Sequence, residues 1–238
     1  MSEGIYTALS GAIATQTQLE VSSHNLANVA TPGFRNKRVS FTEVMVDTRG
    51  RDSQVVVDDV ATDLNPAQLR QTGNAMDVAM SGDGFFLVGD PANPTITRDG
   101  RFQLSPEGQL TTNQGLPVLD PGGNPIKLNA LPDDVLFAAD GSIWDQYGPV
   151  GQLGIVNVVN RANLQSVGEG LMTTPANNLQ AAEQVDVVQG AYEGSNVNAM
   201  RGMTEMITLH RYFETMNTLI QQHRDTDRTA VRSVGKVG

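Results

Sequence analysis

Apolar and polar positions follow a helical period at both ends of this chain and a strand-like period between them. Near the start, apolar or small side chains recur at Ile5, Leu9, Ala12, Leu19 and Leu26, and Gln16 and Ser23 fill the two missing places. Steps of four and three put these positions along one side of a helix. The stripe is thin, closer to a coiled-coil seam than to the wide face of a globular helix. Thr31-Pro32-Gly33 then stops it. The residue before a proline is pushed out of the helical region, and Pro-Gly suits a type II turn whose glycine takes positive φ. The pattern predicts a helix of about 25 residues, roughly 38 Å long, and a sharp exit. Gly11 and several polar or β-branched residues weaken that helix, so it needs a partner.

The far end supplies one. Ala199, Met203, Met206, His210, Phe213, Asn217 and Ile220 are again four and three apart. A second row, Leu209, Tyr212, Met216 and Leu219, lies beside the first, and Met200 and Ile207 widen the apolar area. A helix apolar over more than one side is ordinarily buried. One partner helix cannot cover all of it, which implies cover by other chains. Residues 225–238 read as a frayed tail.

Between the ends the punctuation becomes dense. Met76, Val78 and Met80 alternate with polar or small residues, and Phe85-Phe86-Leu87-Val88 reads as a buried strand. Asp99-Gly100 predicts a hairpin turn, and Glu107-Gly108, Asn113-Gln114-Gly115, Pro121-Gly122-Gly123-Asn124 and Asp140-Gly141 predict further turns. Ile126 with Leu128, the run Val135-Leu136-Phe137, and residues 153–159 complete the set, ending near Thr174-Pro175 with a polar connection over 176–184. Residues 35–72 read as a partly extended linker, with Val39, Phe41, Val44, Val46 and Val55-Val56-Val57 as its extended pieces. The expected fold is α+β: terminal helices packed together in a coiled-coil-like way, with an all-β domain inserted. Residues 1–34 and 186–238 form the helical part, and 73–185 the β-rich part with its trailing connection.

Charge and composition narrow the function. The chain has no cysteine, which rules out disulfides and thiolate chemistry. Its net charge of −10 is concentrated in residues 52–200, where eighteen acidic side chains face five basic ones. An acidic middle argues against nucleic-acid binding and suits a solvated surface. No apolar run is long enough to cross a bilayer, and no basic start with an apolar core and cleavage site marks a secretory signal. His24, His210 and His223 have no carboxylate or serine in a catalytic arrangement, and His210 is expected to pack on the last helix's seam. Asp58-Asp59 and Asp133-Asp134 are adjacent, which points them to opposite faces of a strand and makes them poor metal or acid–base pairs. Gly82-Asp83-Gly84 reads as a turn only. No catalytic, metal or cofactor site is expected, and an enzyme or binding module built on the β domain is the weaker alternative.

Three separated motifs carry a resemblance. Ile5-Tyr6-Thr7-Ala8-Leu9-Ser10-Gly11-Ala12, followed by Asn25-Leu26-Ala27-Asn28-Val29 and Thr31-Pro32-Gly33-Phe34-Arg35, is similar to the N-terminal motif of flagellar rod and hook proteins. Gly82-Asp83-Gly84-Phe85-Phe86-Leu87-Val88 and Thr97-Arg98-Asp99-Gly100-Arg101-Phe102 resemble that family's β-domain signature. Tyr192-Glu193-Gly194-Ser195-Asn196-Val197 and Met203-Thr204-Glu205-Met206-Ile207 resemble its C-terminal motif, with Tyr192 where a leucine or valine is common. The chain resembles the proximal rod type most, with the distal rod or hook subunit as the alternative. The resemblance implies a structural rod subunit of the bacterial basal body, made in the cytoplasm and exported without signal-peptide cleavage by the flagellar type III apparatus. It would assemble in the periplasm with itself and other rod proteins through axial helices, without membrane insertion, nucleic acid or cofactor. The implied assembly residues are Ile5, Leu9, Ala12, Leu19, Leu26, Val197, Met203, Met206, Ile207, His210, Phe213 and Ile220. The motif and turn residues are Asn25, Asn28, Pro32, Gly33, Phe34, Ser195 and Asn196.

Overall fold

The structure is a computed structural model that describes residues 3–45, 53–182 and 185–234. It divides into two units, one holding residues 1–27, 37–63 and 198–238 and the other residues 28–36 and 64–197.

The first unit contains both long helices, α1 (Glu3–Ala27) and α2 (Ala199–Val234). They pack together and run antiparallel: the Met216 methyl lies 3.6 Å from where a Cβ on Gly11 would stand, and Leu26 lies 3.9 Å from that of Gly202. Residues expected as a linker instead form a hairpin of β1 (Lys37–Met45) and β2 (Ser53–Thr62) that packs along α1. Val39 is half-buried on β1, while Phe41 and Val44, three residues apart, point to opposite sides of the strand and are exposed. Val46 falls outside the described residues. Helix α2 also continues through Val234, beyond the expected frayed start at residue 225, and residues 235–238 lie outside the described part.

Apart from three single-turn 3-10 helices, the regular secondary structure among the second unit's described residues is β. Its strands are β3 (Leu69–Gln71), β4 (Val78–Ser81), β5 (Phe85–Asp90), β6 (Asn93–Thr97), β7 (Phe102–Leu104), β8 (Leu110–Thr112), β9 (Leu136–Phe137) and β10 (Ser142–Asp145). They continue with β11 (Gly148–Gln152), β12 (Ile155–Val158), β13 (Gln165–Gly168), β14 (Leu171–Thr173), β15 (Leu179–Ala181), β16 (Asp186–Gln189) and β17 (Ala191–Glu193). The largest sheet has the order β13-β14-β6-β5-β12-β15. Strand β5 explains its own uninterrupted apolar run. Phe86 and Val88 enter one core cluster, with Val78, Phe102, Leu110, Ile126, Leu128 and Ile143, while Phe85 and Leu87 enter a second with Ile96, Leu119 and Met172. Both faces of the strand are covered, so no polar side is left. Phe86 and Phe102 meet edge to face, with ring centres 5.1 Å apart.

Two expectations about this unit change. Asp99-Gly100 is not a hairpin turn, because β6 pairs with β5 and β14 while β7 pairs with β8. Gly100 is needed for close approach: its carbonyl accepts from the Val78 amide at 2.9 Å, and a Cβ there would sit 1.7 Å from the Val78 carbonyl oxygen. The β structure also continues past Thr174-Pro175, since β15 joins the large sheet, β16 pairs with β4 and β17 pairs with β3. Three- and four-residue strands with mixed polarity are too short to show a period in sequence. Asp133 and Asp134 occupy an exposed 3-10 turn, Pro132–Asp134, and not a strand.

Candidate functional site: assembly helices and a buried clasp

The helical unit buries few apolar side chains. Among its described residues only Ala12, Ala14 and Leu209 are buried hydrophobics. On α1 the packed positions are small or polar, including Gly11, Ala12, Ala14, Ser22 and Asn25, with Leu19 and Leu26 half-buried. Leu9 and Ile13 are exposed, and the side chain of Ile5 lies outside the described part. The expected seam through Leu9 therefore departs from the packed side. Small side chains let Met216 approach Gly11.

On α2 the inward line runs through Gly202, Met206, Leu209, Phe213, Met216 and Ile220. Met206, Phe213 and Ile220 of the expected row are half-buried, and Val197, which precedes the helix, is half-buried too. Met203 and His210 are exposed, so the expected packing of His210 on the seam is replaced by a solvent-facing side chain. With apolar residues on several sides, two rows at steps of four and three fit equally well, and the partner selects one. The remainder is left uncovered: Met200 is 74% exposed, Ile207 58%, Tyr212 57% and Met203 50%.

Two asparagines organise the helix ends in this unit. Asn25 donates through Nδ2 to the Lys37 carbonyl and accepts the Lys37 amide at Oδ1, both at 2.8 Å. It thus acts as a strand-like partner that starts β1 beside the last turn of α1. Asn198 caps α2, its Oδ1 accepting from the Arg201 amide at 3.0 Å. Partial burial, then nearby Lys37, lowers the pKa of His24 below its ordinary value.

The β unit holds a different construction, where all three sequence motifs meet. Thr31 to Phe34 form the expected turn: the Phe34 amide donates to the Thr31 carbonyl at 3.3 Å, and Gly33 has φ +67°. Asn28 supports it, accepting the Thr31 hydroxyl at 3.1 Å. Gly33 is also closely packed, since a Cβ there would stand 2.4 Å from the Asp99 nitrogen. Its amide donates to the Glu193 carbonyl at 2.9 Å. Asn196 accepts from the Asn36 amide at 2.7 Å and donates to the Asn65 carbonyl at 3.1 Å. Ser195 accepts from the Val197 amide at 3.3 Å.

At the centre lies the Glu193 carboxylate, 1% exposed. It accepts from Arg35 Nη1 at 2.8 Å, from Arg98 Nη1 at 3.2 Å and from the Ala67 amide at 2.6 Å. Arg98 also donates to the Gly82 carbonyl at 2.7 Å, so Gly82-Asp83-Gly84 does more than turn the chain. Burial pulls the Arg98 pKa below its ordinary value, and the Glu193 charge opposes that shift. Arg35, Arg98 and Glu193 were not expected as site residues. Their signal in sequence is that each of the three motifs carries one of them, although the second and third motifs hold other charges as well.

Neither construction has the form of an active site. Among the described residues no group of three histidine or acidic side chains is placed to hold a metal ion. No described helix is long and apolar enough to cross a membrane. What the geometry offers is an uncovered apolar helix surface and a charged clasp that binds distant motifs into one unit.

Comparison with known proteins places both features in context. Residues 5–35 match the family described as "Flagella basal body rod protein", residues 79–144 the "Flagellar hook protein FlgE/F/G D1 domain", and residues 188–233 the "Flagellar basal body rod FlgEFG protein C-terminal". Each match contains one arm of the clasp. The chain is 33% identical to the flagellar basal-body rod protein FlgF of Rhizobium meliloti (strain 1021), covering 99% of each chain. It is 34% identical to the FlgF of Mesorhizobium japonicum, again covering 99% of each. It is 33% identical to the flagellar basal-body rod protein FlgG of Buchnera aphidicola subsp. Schizaphis graminum, over 90% of this chain and 93% of that protein.

Proposed function

The chain belongs to the flagellar basal-body rod protein family, and from that premise we propose that it takes a FlgF-like place in the proximal rod and polymerises through its terminal helices. It is a structural subunit of the basal body that assembles with other rod components, and not an enzyme. In this reading α1 and α2 pack with those of neighbouring copies in a coiled-coil-like axial layer. Head-to-tail contacts of that kind generate a helix when they do not close. The subunit is exported by the flagellar type III apparatus without signal-peptide cleavage, and the rod lies in the periplasm.

The observation that carries the proposal is the uncovered apolar surface of α2 at Met200, Met203, Ile207 and Tyr212. Exposed apolar area on this scale marks a surface that another chain covers. The experiment is complementation of a strain lacking the gene with Ile207→Asp. Ile207 is exposed in the single chain, so the variant should fold and be exported as the wild type is. It should fail to enter rods, because a carboxylate in the assembled interface is desolvated without a partner. Normal rods built from the Ile207→Asp chain would sink the proposal.

The likeness to FlgG keeps a distal-rod reading in view. Imaging of basal bodies at side-chain resolution distinguishes the two by the position at which this chain lies.

A further inference from the structure

The three-stranded sheet of the β unit has the order β11-β10-β9, and one of its faces is uncovered. Side chains on β10 alternate: Ile143 is fully buried, while Trp144 is 42% exposed. Trp144 lies opposite Leu136 on β9 and Pro149 on β11, so the three form an apolar row across the sheet. Leu136 is exposed, and Tyr147, in the turn between β10 and β11, is 80% exposed.

Trp144 is the only tryptophan in the chain, and its orientation is fixed. Its ring nitrogen donates to the Ser142 hydroxyl at 2.9 Å, and that hydroxyl donates to Asp140 Oδ1 at 2.6 Å. The indole N–H is thereby satisfied within the sheet, and the ring presents apolar surface outward. Exposed, pre-positioned Trp and Tyr side chains are the residue types that dominate binding surfaces.

We propose that this face docks a protein other than the chain itself, through a surface apolar at its centre and lined at its rim by lysine or arginine. Charge selects the partner. Asp140, linked to the Trp144 ring nitrogen through the Ser142 hydroxyl, is the carboxylate beside the row, and hydrogen bonds from Ser142 lower its pKa. The whole β unit carries fourteen acidic and six basic residues, a net charge of −8. The same unit of a second copy would be repelled, whereas a basic rim is attracted. The mode of docking is side-chain packing and not strand addition. Edge strand β11 contains Pro149, and the pairing register shifts beside it, with Val150 as the extra residue. Both features block a further strand. This contact adds to the rod assembly proposed above, and it rests on that reading only for where the partner is sought.

The test uses the full chain in cells that build basal bodies. A photo-cross-linking p-benzoylphenylalanine replaces Tyr147, and in a separate strain it replaces Val167 on β13, which is also exposed. After irradiation, basal bodies are purified and joined peptides are identified by mass spectrometry. The probe at 147 is expected to join a different protein, at a site bordered by lysine or arginine, with about tenfold more product than the probe at 167. Trp144→Ala should cut that product about tenfold. If Trp144→Ala lowers the melting temperature of the purified chain, Leu136→Ser takes its place. Joining to another copy, joining to nothing, or product indifferent to both substitutions overturns the proposal. Complete rods whose probe at 147 joins nothing would overturn this docking alone. Rods that tolerate Ile207→Asp would overturn the assembly reading alone.

Discussion

Val78, Phe86 and Leu110 of the β unit have no exposed surface, whereas Ile207 and Ile13 of the helical unit are more than half exposed. Both units are drawn from one chain of ordinary composition, and what separates them is where the apolar side chains find partners. In the β unit the covered strands bury their apolar side chains in two clusters built from the chain itself, with β5 contributing to both. In the helical unit α1 meets α2 largely through glycine, alanine, serine and asparagine, and α2 turns Met206, Leu209, Phe213, Met216 and Ile220 inward while Met200, Met203, Ile207 and Tyr212 face outward. The first arrangement is complete in a single chain. The second leaves area whose burial, at about 1.5–3 kcal/mol for each large apolar side chain, is available only on assembly.

Hydrogen exchange on a verified monomer sharpens that comparison most directly, and it should show the largest difference. Amides of the β unit, such as those of β5 and β10, should open only with the whole unit. Those of α1 and α2 should open locally and exchange roughly a thousandfold faster. Equal protection in both units would show that the helices are stable without neighbours.

Glu193→Gln attacks the stronger unit at its buried ion pairs with Arg35 and Arg98. The substitution keeps size and some acceptor capacity but leaves Arg35 and Arg98 buried with no opposing charge from residue 193. Breaking a buried pair by removing one partner costs about 3–5 kcal/mol. Urea denaturation of the full chain should show that loss in the β transition, and a transition within experimental error of wild type would contradict the clasp.

Gly33→Val comes next. From sequence alone the turn appears local, and the substitution is expected to misdirect the chain while leaving β stability near wild type. The structure changes that expectation. Gly33 combines positive φ with a backbone neighbour at 2.4 Å from a would-be Cβ, so valine must shift the Arg98–Asp99 backbone as well as strain the turn. The expected cost is about 2–4 kcal/mol, in the range of backbone strain plus overpacking. Thermal unfolding of the β unit reads it, and an unchanged melting temperature would restore the local view.

What was legible in sequence follows the physics of each signal. The Pro32-Gly33 turn and the run at Phe85 were readable because each depends on a local rule: one on a positive-φ requirement, the other on burial of both faces. Asp99-Gly100 shows the limit of such rules, because close approach to Val78 and a hairpin turn both demand the same glycine. Periodicity finds stripes and puts Leu209 in the secondary row, and only the partner decides which stripe turns inward. Arg35, Arg98 and Glu193 lie 63 and 95 residues apart along the chain, and no local pattern pairs charges across such distances.

The smallest expected effect tests the comparison from the weaker side. Asn198 caps α2 by accepting the Arg201 amide, and its removal by Asn198→Ala leaves an N–H at the helix start without that acceptor. Such losses are about 1 kcal/mol in any helix. In the β unit a change of that size would be hidden beneath a large margin. In the helical unit of a monomer the margin is small, so the same change should lower the helical circular dichroism signal measurably while the β unit's urea midpoint stays fixed. If neighbours cover Ile207 and Tyr212 in assembled rods, as proposed, the loss should shrink there against the larger burial term and rods should still form. A helical signal unaltered in the monomer would mean that α2 is held more firmly by α1 and the hairpin than its exposed apolar residues indicate.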